Sequence, residues 1–537
     1  MLKQLINSCC LLLMLVTMQL TITAQEKRAA DLEPGDEAPA IAIQKWATGD
    51  GISGFEKGKF YLLELTSMYC PPCMDVMPHL REITGKFAGR LKVVSIFEAF
   101  RSTADTGYLD YLNGFLEKQK DSINYAVGID EPGSVTVKKW LHTIHAPAAF
   151  IVDGYGKIAW VGNPATLDDR LINGLINRKP GMAVAAPEKM AFEKTVEGHT
   201  NHLYYIKNKK GNFKAALTNY GARLVYLQAP DKKGAPVSVV AGFDSLSVYQ
   251  DYDPFSGATI GRVVNRLSKT KLVLEGQTSN LEPNYGPALI HGGTAGYEDK
   301  VWEGKQVDDG KVEFSLLSPD GDGGFPGALQ VKVTYAIEKD ETLRITYEAT
   351  TDKPTIVNLS NHFYFNLNGE GSGNINNHLL TINADKYTPV DDNKFPRGTI
   401  EPVDGTPFDF RKPMTVGARI EAKDPQLRAG RGYDHNFVLI KSPADAMGLT
   451  PAMTVTGDKS GITMQISTTE PGIQLYTGNM LGGASLLRSG FADSRRTAFV
   501  AETQHFPDAP NQPAFPSIEL KPGEKYHSET TFSFSNH

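Results

Sequence analysis

Val331-Lys332-Val333-Thr334-Tyr335-Ala336-Ile337 and, after a short break, Leu343-Arg344-Ile345-Thr346-Tyr347-Glu348-Ala349 place an apolar residue at every second position. A period of two is that of a β-strand with one buried face. Short runs of this kind recur from about Met190 to the end. Turn clusters separate them, such as Ser318-Pro319-Asp320-Gly321-Asp322-Gly323-Gly324, and no long helical period interrupts them. The 51 glycines and 32 prolines fit a chain with many turns. Residues 190–537 are therefore expected to form one all-β unit, a sandwich or barrel. Asp320-Gly321-Asp322-Gly323 lacks the glutamate and spacing of an EF-hand and reads as a turn.

The texture upstream is different. Lys59-Phe60-Tyr61-Leu62-Leu63-Glu64-Leu65 and Leu91-Lys92-Val93-Val94-Ser95-Ile96-Phe97 are strand-like, and the stretch between them, from Cys73 to Phe87, carries Met74, Met77, Leu80 and Ile83 at helical spacing. Ala149 to Asp153, Gly154-Tyr155-Gly156-Lys157 and Ile158 to Val161 read as strand, turn and strand. Such alternation predicts an α/β domain over 34–178. A stretch with Pro180, Gly181 and Pro187 and no periodicity, 179–189, is the expected linker. Lys3, an apolar run from about Cys9 to Leu20 and the small residue Ala24 have the anatomy of a cleavable secretory signal, 1–24. The run is short of the ~20 residues that span a bilayer, so the expectation is an exported, periplasmic or extracellular protein without stable membrane insertion after cleavage. A net charge of −6 and the absence of a long basic run give no reason to expect nucleic acid as a partner.

Several polar clusters in the β region are costly to bury without a purpose. They are Gly261-Arg262-Val263-Val264-Asn265-Arg266, His291-Gly292-Gly293, Asn358 to Leu367 with His362 among aromatics, Asp434-His435-Asn436-Phe437, and Glu502 to Asn511. Singly each has a plain structural reading: a hydrogen-bonded core histidine, a strand-end carboxylate, a turn cap. Their joint occurrence in one order resembles the aldose 1-epimerase (galactose mutarotase) family, over about residues 195–535. Thr218 to Arg223, Gly324-Phe325-Pro326-Gly327 and Tyr476-Thr477-Gly478-Asn479 belong to the same resemblance.

That resemblance implies a large antiparallel β-supersandwich with an aldose in a cleft on one face. It matches Glu502 to the base and His362 to the acid that open the sugar ring, with the carboxylate ionised and the imidazole protonated. It matches Asn265, Arg266, His291, Asp434 and Gln474 to contacts with sugar hydroxyls, and it implies no cofactor and no metal. Tyr364 is expected beside the site. The competing expectation is a sugar-binding module that has kept the fold without turnover.

The chain has four cysteines, and two leave with the expected signal. Those remaining form Cys70-Pro71-Pro72-Cys73, between a strand and a helix. A helix N-terminus stabilises a thiolate on Cys70, with Cys73 resolving. A zinc site would need further ligands of this kind, whereas a purely structural disulfide is a live alternative. The motif, with Pro147 ahead of a downstream strand, resembles the thioredoxin-like fold of exported thiol–disulfide proteins. This implies a cis-proline at Pro147 and a thiol–disulfide partner protein. Glu64, in the strand before the motif, is a candidate proton shuttle. Tyr69 stands where the family usually has Trp.

Overall fold

The computed structural model describes residues 32, 34–99, 106–119, 121, 123–141, 147–177, 184–338, 341–441 and 444–536. The expected signal, 1–24, lies outside them. So does Ala146, whose bond to Pro147 would carry the expected cis isomer. Among the described residues no helix is long and apolar enough to cross a membrane.

The chain divides into two compact units, Met1–Ala165 and Thr166–His537. The helix Asp169–Asn177 thus groups with the larger unit, ahead of the linker read from the sequence. Its Arg170 guanidinium lies over the ring of Tyr252, 4.6 Å from the centroid.

In the smaller unit the elements run β1 (Ile43–Thr48), β2 (Phe60–Thr66), α1 (Pro71–Lys86), β3 (Leu91–Phe97), α2 (Thr106–Lys118), β4 (Ala126–Asp130), α3 (Val135–Trp140), β5 (Ala148–Val152) and β6 (Ile158–Gly162). They form one mixed sheet in the order β1-β4-β3-β2-β5-β6. β2, β3 and β4 are parallel neighbours, while β1, β5 and β6 join antiparallel. Strands covered on both faces read as continuous apolar runs, and β2 and β3 do. The stripe that α1 buries is Cys73, Val76, Met77, Leu80 and Ile83, with Met74 only half-buried, one position away from the expected stripe. Two prolines in its first turn suit positions whose N–H groups have no helical partner.

The larger unit is built on antiparallel sheets. Nine strands pair in the order Glu303–Asp308, Lys311–Ser318, Leu329–Ile337, Thr342–Thr351, Tyr526–Asn536, Ile462–Thr468, Thr450–Thr456, Leu379–Ile382 and Met414–Thr415. Five more form a second sheet, in the order Glu401–Pro402, Ala384–Thr388, Asp434–Leu439, Gly472–Tyr476 and Val500–Gln504. A four-stranded sheet runs from Pro236–Ser238 through Arg223–Pro230 and Lys214–Thr218 to Leu203–Lys207. The alternation that opened the sequence reading holds: Val331 faces Ala349, Val333 faces Tyr347 and Tyr335 faces Ile345, all buried. One apolar core joins these sheets, with Phe363, Phe365 and Phe532 in contact within it.

The Ser318–Gly324 segment is a turn whose carboxylates are internally satisfied. Asp322 accepts from Ser318 Oγ at 2.8 Å and pairs with Lys300 at 3.1 Å, and Asp320 accepts from Gly327 N at 2.7 Å. Arg262 is buried and donates to Pro326 O, Gly327 O, Thr355 Oγ1 and Ser318 Oγ at 2.7–3.2 Å. It ties this turn to the core and is a structural cation.

Phe532 is fully buried in the central strand of the nine-stranded sheet. Phe532→Ala removes its contacts and leaves a cavity, so chemical denaturation of the larger unit should show a loss of roughly 3–5 kcal/mol. A loss under about 1 kcal/mol would mean that this core is not closely packed.

Candidate active site

Strand register builds one wall of the site. Gln474 pairs with Glu502 on one side and with Asn436 on the other, and Asp434 pairs with Tyr476. Side chains alternate along a strand, so Asp434, Gln474 and Glu502 share a face. Gln474 Nε2 donates to Asp434 Oδ1 at 2.7 Å. Arg266 donates to the other oxygen, Oδ2, at 3.2 Å. Ion pair and amide are buried, so the pair acts in a low dielectric where its geometry is held firmly.

Arg266 comes from a short ladder in which Arg266–Leu267 pairs with Leu289–Ile290, and this sets His291 against Asn265. His291 N donates to Asn265 O at 2.9 Å, and Asn265 N donates to His291 Nδ1 at 3.3 Å. Both residues lie at positive φ, 64° for Asn265 and 53° for His291. Strained backbone of this kind persists where the surroundings over-determine it. Gly292 follows at φ 98°, and a Cβ there would run into the Gly261 carbonyl, which accounts for the His-Gly pairing in the sequence.

His362 enters from a third direction. Its backbone N donates to Ala258 O at 3.0 Å, and its O accepts from Gly257 N at 2.9 Å. Its ring lies 5.0 Å from that of Tyr364, 5.4 Å from His291 and 6.2 Å from Tyr476. A nitrogen of His291, a nitrogen of His362 and a carboxylate oxygen of Glu502 fall within 4.8 Å of one another. Among the described residues His362 Nδ1 and Glu502 Oε1 have no hydrogen-bond partner, although both are buried. Buried groups of this kind are normally satisfied, so two together mark a place built to meet a polar ligand.

The three could also hold a metal ion, being of the right donor types. The Asn265 N–H on His291 Nδ1 argues for hydrogen bonding instead. It leaves the proton of the neutral ring on Nε2, which is then a donor and not a ligand.

Burial governs the electrostatics. It pushes the Glu502 carboxyl up to about 8, with Asp434 adding to the rise and Arg266 opposing it. It pushes His362 down to about 4 against the pull of Asp434, and holds His291 well below the usual imidazole range. Burial also opposes ionisation of Asp434, but Arg266 and other cations outweigh it and hold that carboxyl below its ordinary value. The expected state, an ionised Glu502 with a protonated His362, is thus reversed in the protein's own environment. The pair carries the same single proton, on the carboxyl.

All the expected site residues of the larger unit converge: His362, Glu502, Asn265, Arg266, His291, Asp434 and Gln474. Tyr364 is where it was expected. Two aromatics of the site had not been assigned: Tyr476, and Phe255, whose ring lies 4.8 Å from His291. Phe255 sits in a turn with no motif of its own, and only the register of Asp434 with Tyr476 places Tyr476.

In the smaller unit Cys70 and Cys73 are joined as a disulfide, with α-carbons 5.3 Å apart. Cys70 is partly exposed and Cys73 buried. Glu64 is buried and accepts from Ser95 Oγ, and burial pushes its carboxyl up to about 7.

A carboxyl raised on folding favours its neutral form, so Glu502 lowers stability progressively as pH rises from its unfolded value toward about 8. Glu502→Gln should therefore gain thermal stability over the native chain at pH 8, with the gain shrinking toward pH 4.5. A pH-independent difference in Tm would contradict the raised carboxyl.

Residues 202–533 match the aldose 1-epimerase family. Galactose mutarotase of Rattus norvegicus is 41% identical over 319 residues, which cover 59% of this chain and 90% of the relative. Aldose 1-epimerase of Escherichia coli (strain K12) is 38% identical over 341 residues, covering 63% of this chain and 96% of the relative. Among solved structures, an aldose epimerase homologue from C. elegans aligns with a TM-score of 0.57 and 32% identity, over 62% of this chain and 99% of that one. The chain belongs to the aldose 1-epimerase family.

Proposed function

We propose that the larger unit interconverts the α and β anomers of an aldohexose, galactose or glucose, by acid–base opening of the sugar ring. The observation that carries this reading is the buried cluster of Glu502, His362 and His291, in which Glu502 Oε1 and His362 Nδ1 lack partners. The relatives named galactose mutarotase and aldose 1-epimerase support it.

When sugar binds, the single proton of the pair passes from Glu502 to His362, and in the forward step the Glu502 carboxylate takes the proton of the C1 hydroxyl. The C1–O5 bond breaks as C1 becomes an aldehyde, and His362 delivers a proton to O5. The pair ends as a carboxylic acid and a neutral imidazole, which is the distribution that burial favours. The protein thereby offsets part of the cost of the open-chain intermediate. Hydroxyls donating to Glu502 would favour its ionised form when sugar enters. Rotation about C1–C2 and the reverse transfers close the ring on the other face. Asp434, fixed by Arg266 and Gln474, retains lone pairs for sugar hydroxyls, and His291 Nε2–H and Arg266 are further donors.

Polarimetry on freshly dissolved α-galactose and α-glucose tests this. The native chain should relax the rotation faster than buffer, and Glu502→Gln and His362→Asn should each lower kcat by ~10²–10⁴-fold. Sugar binding without acceleration would support the binding-module reading instead.

For the smaller unit we infer thiol–disulfide exchange with a partner protein, supported by the closed Cys70–Cys73 pair at the start of α1. The thioredoxin-like pattern of motif and following helix supports the same reading, and the leader-like first segment supports export. Cys70→Ser should abolish reduction of a model protein disulfide. Mutarotation rates should be equal for oxidised and reduced protein, because residues 190–537 contain no cysteine. Full exchange activity in Cys70→Ser would leave the pair a structural disulfide.

A further inference from the structure

The sheet face that carries Glu502 continues past it. Gln504 follows two residues along the same strand, and Gln474 and Asn436 stand level with Glu502 on the next two strands. Alternation puts all of these side chains on one face. Gln504 is 0% exposed, Asn436 1%, Glu502 2% and Gln474 3%.

Gln474 gives its Nε2–H to Asp434, and its Oε1 has no partner among the described residues. Asn436 Oδ1, Glu502 Oε1 and both amide atoms of Gln504 are likewise buried and unpartnered. Leaving such groups unpaired in a low dielectric is costly. The patch is also rich in acceptors. Gln504 brings one donor group and one acceptor whichever way its amide is turned, whereas Gln474 Oε1, Asn436 Oδ1 and an ionised Glu502 only accept.

Gly472, in the interior strand of this sheet, pairs with Val438 on one side and Gln504 on the other. A Cβ there would stand 2.5 Å from Asn436 Oδ1 and 3.1 Å from the Phe506 ring. Glycine inside a strand weakens it, and often marks a place where another group approaches the backbone closely. Here that group is the Asn436 amide, whose Oδ1 lies over the residue that pairs with Gln504.

We propose that Asn436 and Gln504 are positioning residues for ring opening: with Gln474 they hold ordered water whose O–H groups donate to the Glu502 carboxylate. This rests on the mutarotase reading. Water supplies the donors that the patch lacks, and buried water is normally held by two to four such polar partners. Donation to the charged form of a carboxyl favours that form, so the water eases the passage of the proton from Glu502 to His362. A carboxylate oxygen accepts from more than one donor, so the sugar's C1 hydroxyl is not displaced.

Two measurements test this. A high-resolution crystal structure of the unliganded native chain should show water within hydrogen-bond distance of both Gln504 and Glu502. Direct contact of the Gln504 and Asn436 amides, with no water on Glu502 from that side, would overturn the inference whether or not the protein turns over sugar.

The second is the pH profile of kcat/KM for galactose, above the buffer-only rate. Gln504→Met is similar in size and removes the amide, while Gly472→Ala displaces the Asn436 amide without removing it. The charged and titratable groups that act on or beside Glu502, namely His291, His362, Tyr364, Asp434 and Arg266, are the same in both variants. Each variant should lower the plateau and move the limb at which the pair loses its single proton to higher pH, by about half a unit to one unit. Loss of rate at every pH with that limb in place would reveal a structural role only and overturn the inference alone. Failure of the native chain to accelerate galactose would overturn the mutarotase reading and the positioning role with it.

Discussion

Side chains on a strand alternate faces, so a slip of one residue in the pairing of Gly472–Tyr476 with Val500–Gln504 would turn Glu502 away from Gln474 and out of the site. Everything else in the site presupposes that register. With Gln474 beside Glu502, and Asp434 two residues from Asn436, the partner of Gln474, these polar side chains stand together on one face of the sheet. The core that buries the remaining faces is what makes the slip expensive. The loops contribute only after the sheet is set: Arg266 reaches Asp434, and His291 and His362 close over Glu502.

Burial also sets the chemistry. A buried ion pair such as Arg266–Asp434 is weak evidence for stability, since desolvation offsets much of its attraction. Its role here is to keep one carboxylate ionised while the same surroundings hold the neighbouring Glu502 neutral. Two carboxyls on one sheet face are thereby driven to opposite states. In the proposed ring opening, the first is the fixed acceptor for hydroxyls and the second is the group that exchanges a proton. The strain at Asn265 and His291 belongs to the same arrangement, because it aims His291 Nε2 as a donor.

Much of the fold could be read from the chain before any coordinates. Val331 to Ile337 and Leu343 to Ala349 are strands because period two survives wherever one face meets the core, and their observed ends differ only by a residue or two. The site was legible only as a resemblance. Arg266 and Asp434 lie far apart in sequence and meet through long-range pairing that no local window contains. Protonation differs from the expectation because the state of His362 depends on how completely the fold desolvates it, and a neighbouring carboxylate does not outweigh that. The grouping of Asp169–Asn177 with the larger unit was equally invisible, because its apolar stripe does not say which surface it covers.

The most direct test of the central claim is a crystal structure of Glu502→Gln with galactose bound. The account predicts the anomeric oxygen within hydrogen-bond distance of the substituted side chain, the ring oxygen within reach of His362, and other hydroxyls on Asp434, Arg266 and His291. A galactose seated with its C1 edge away from both the substituted side chain and His362 would contradict the assignment of the acid–base pair.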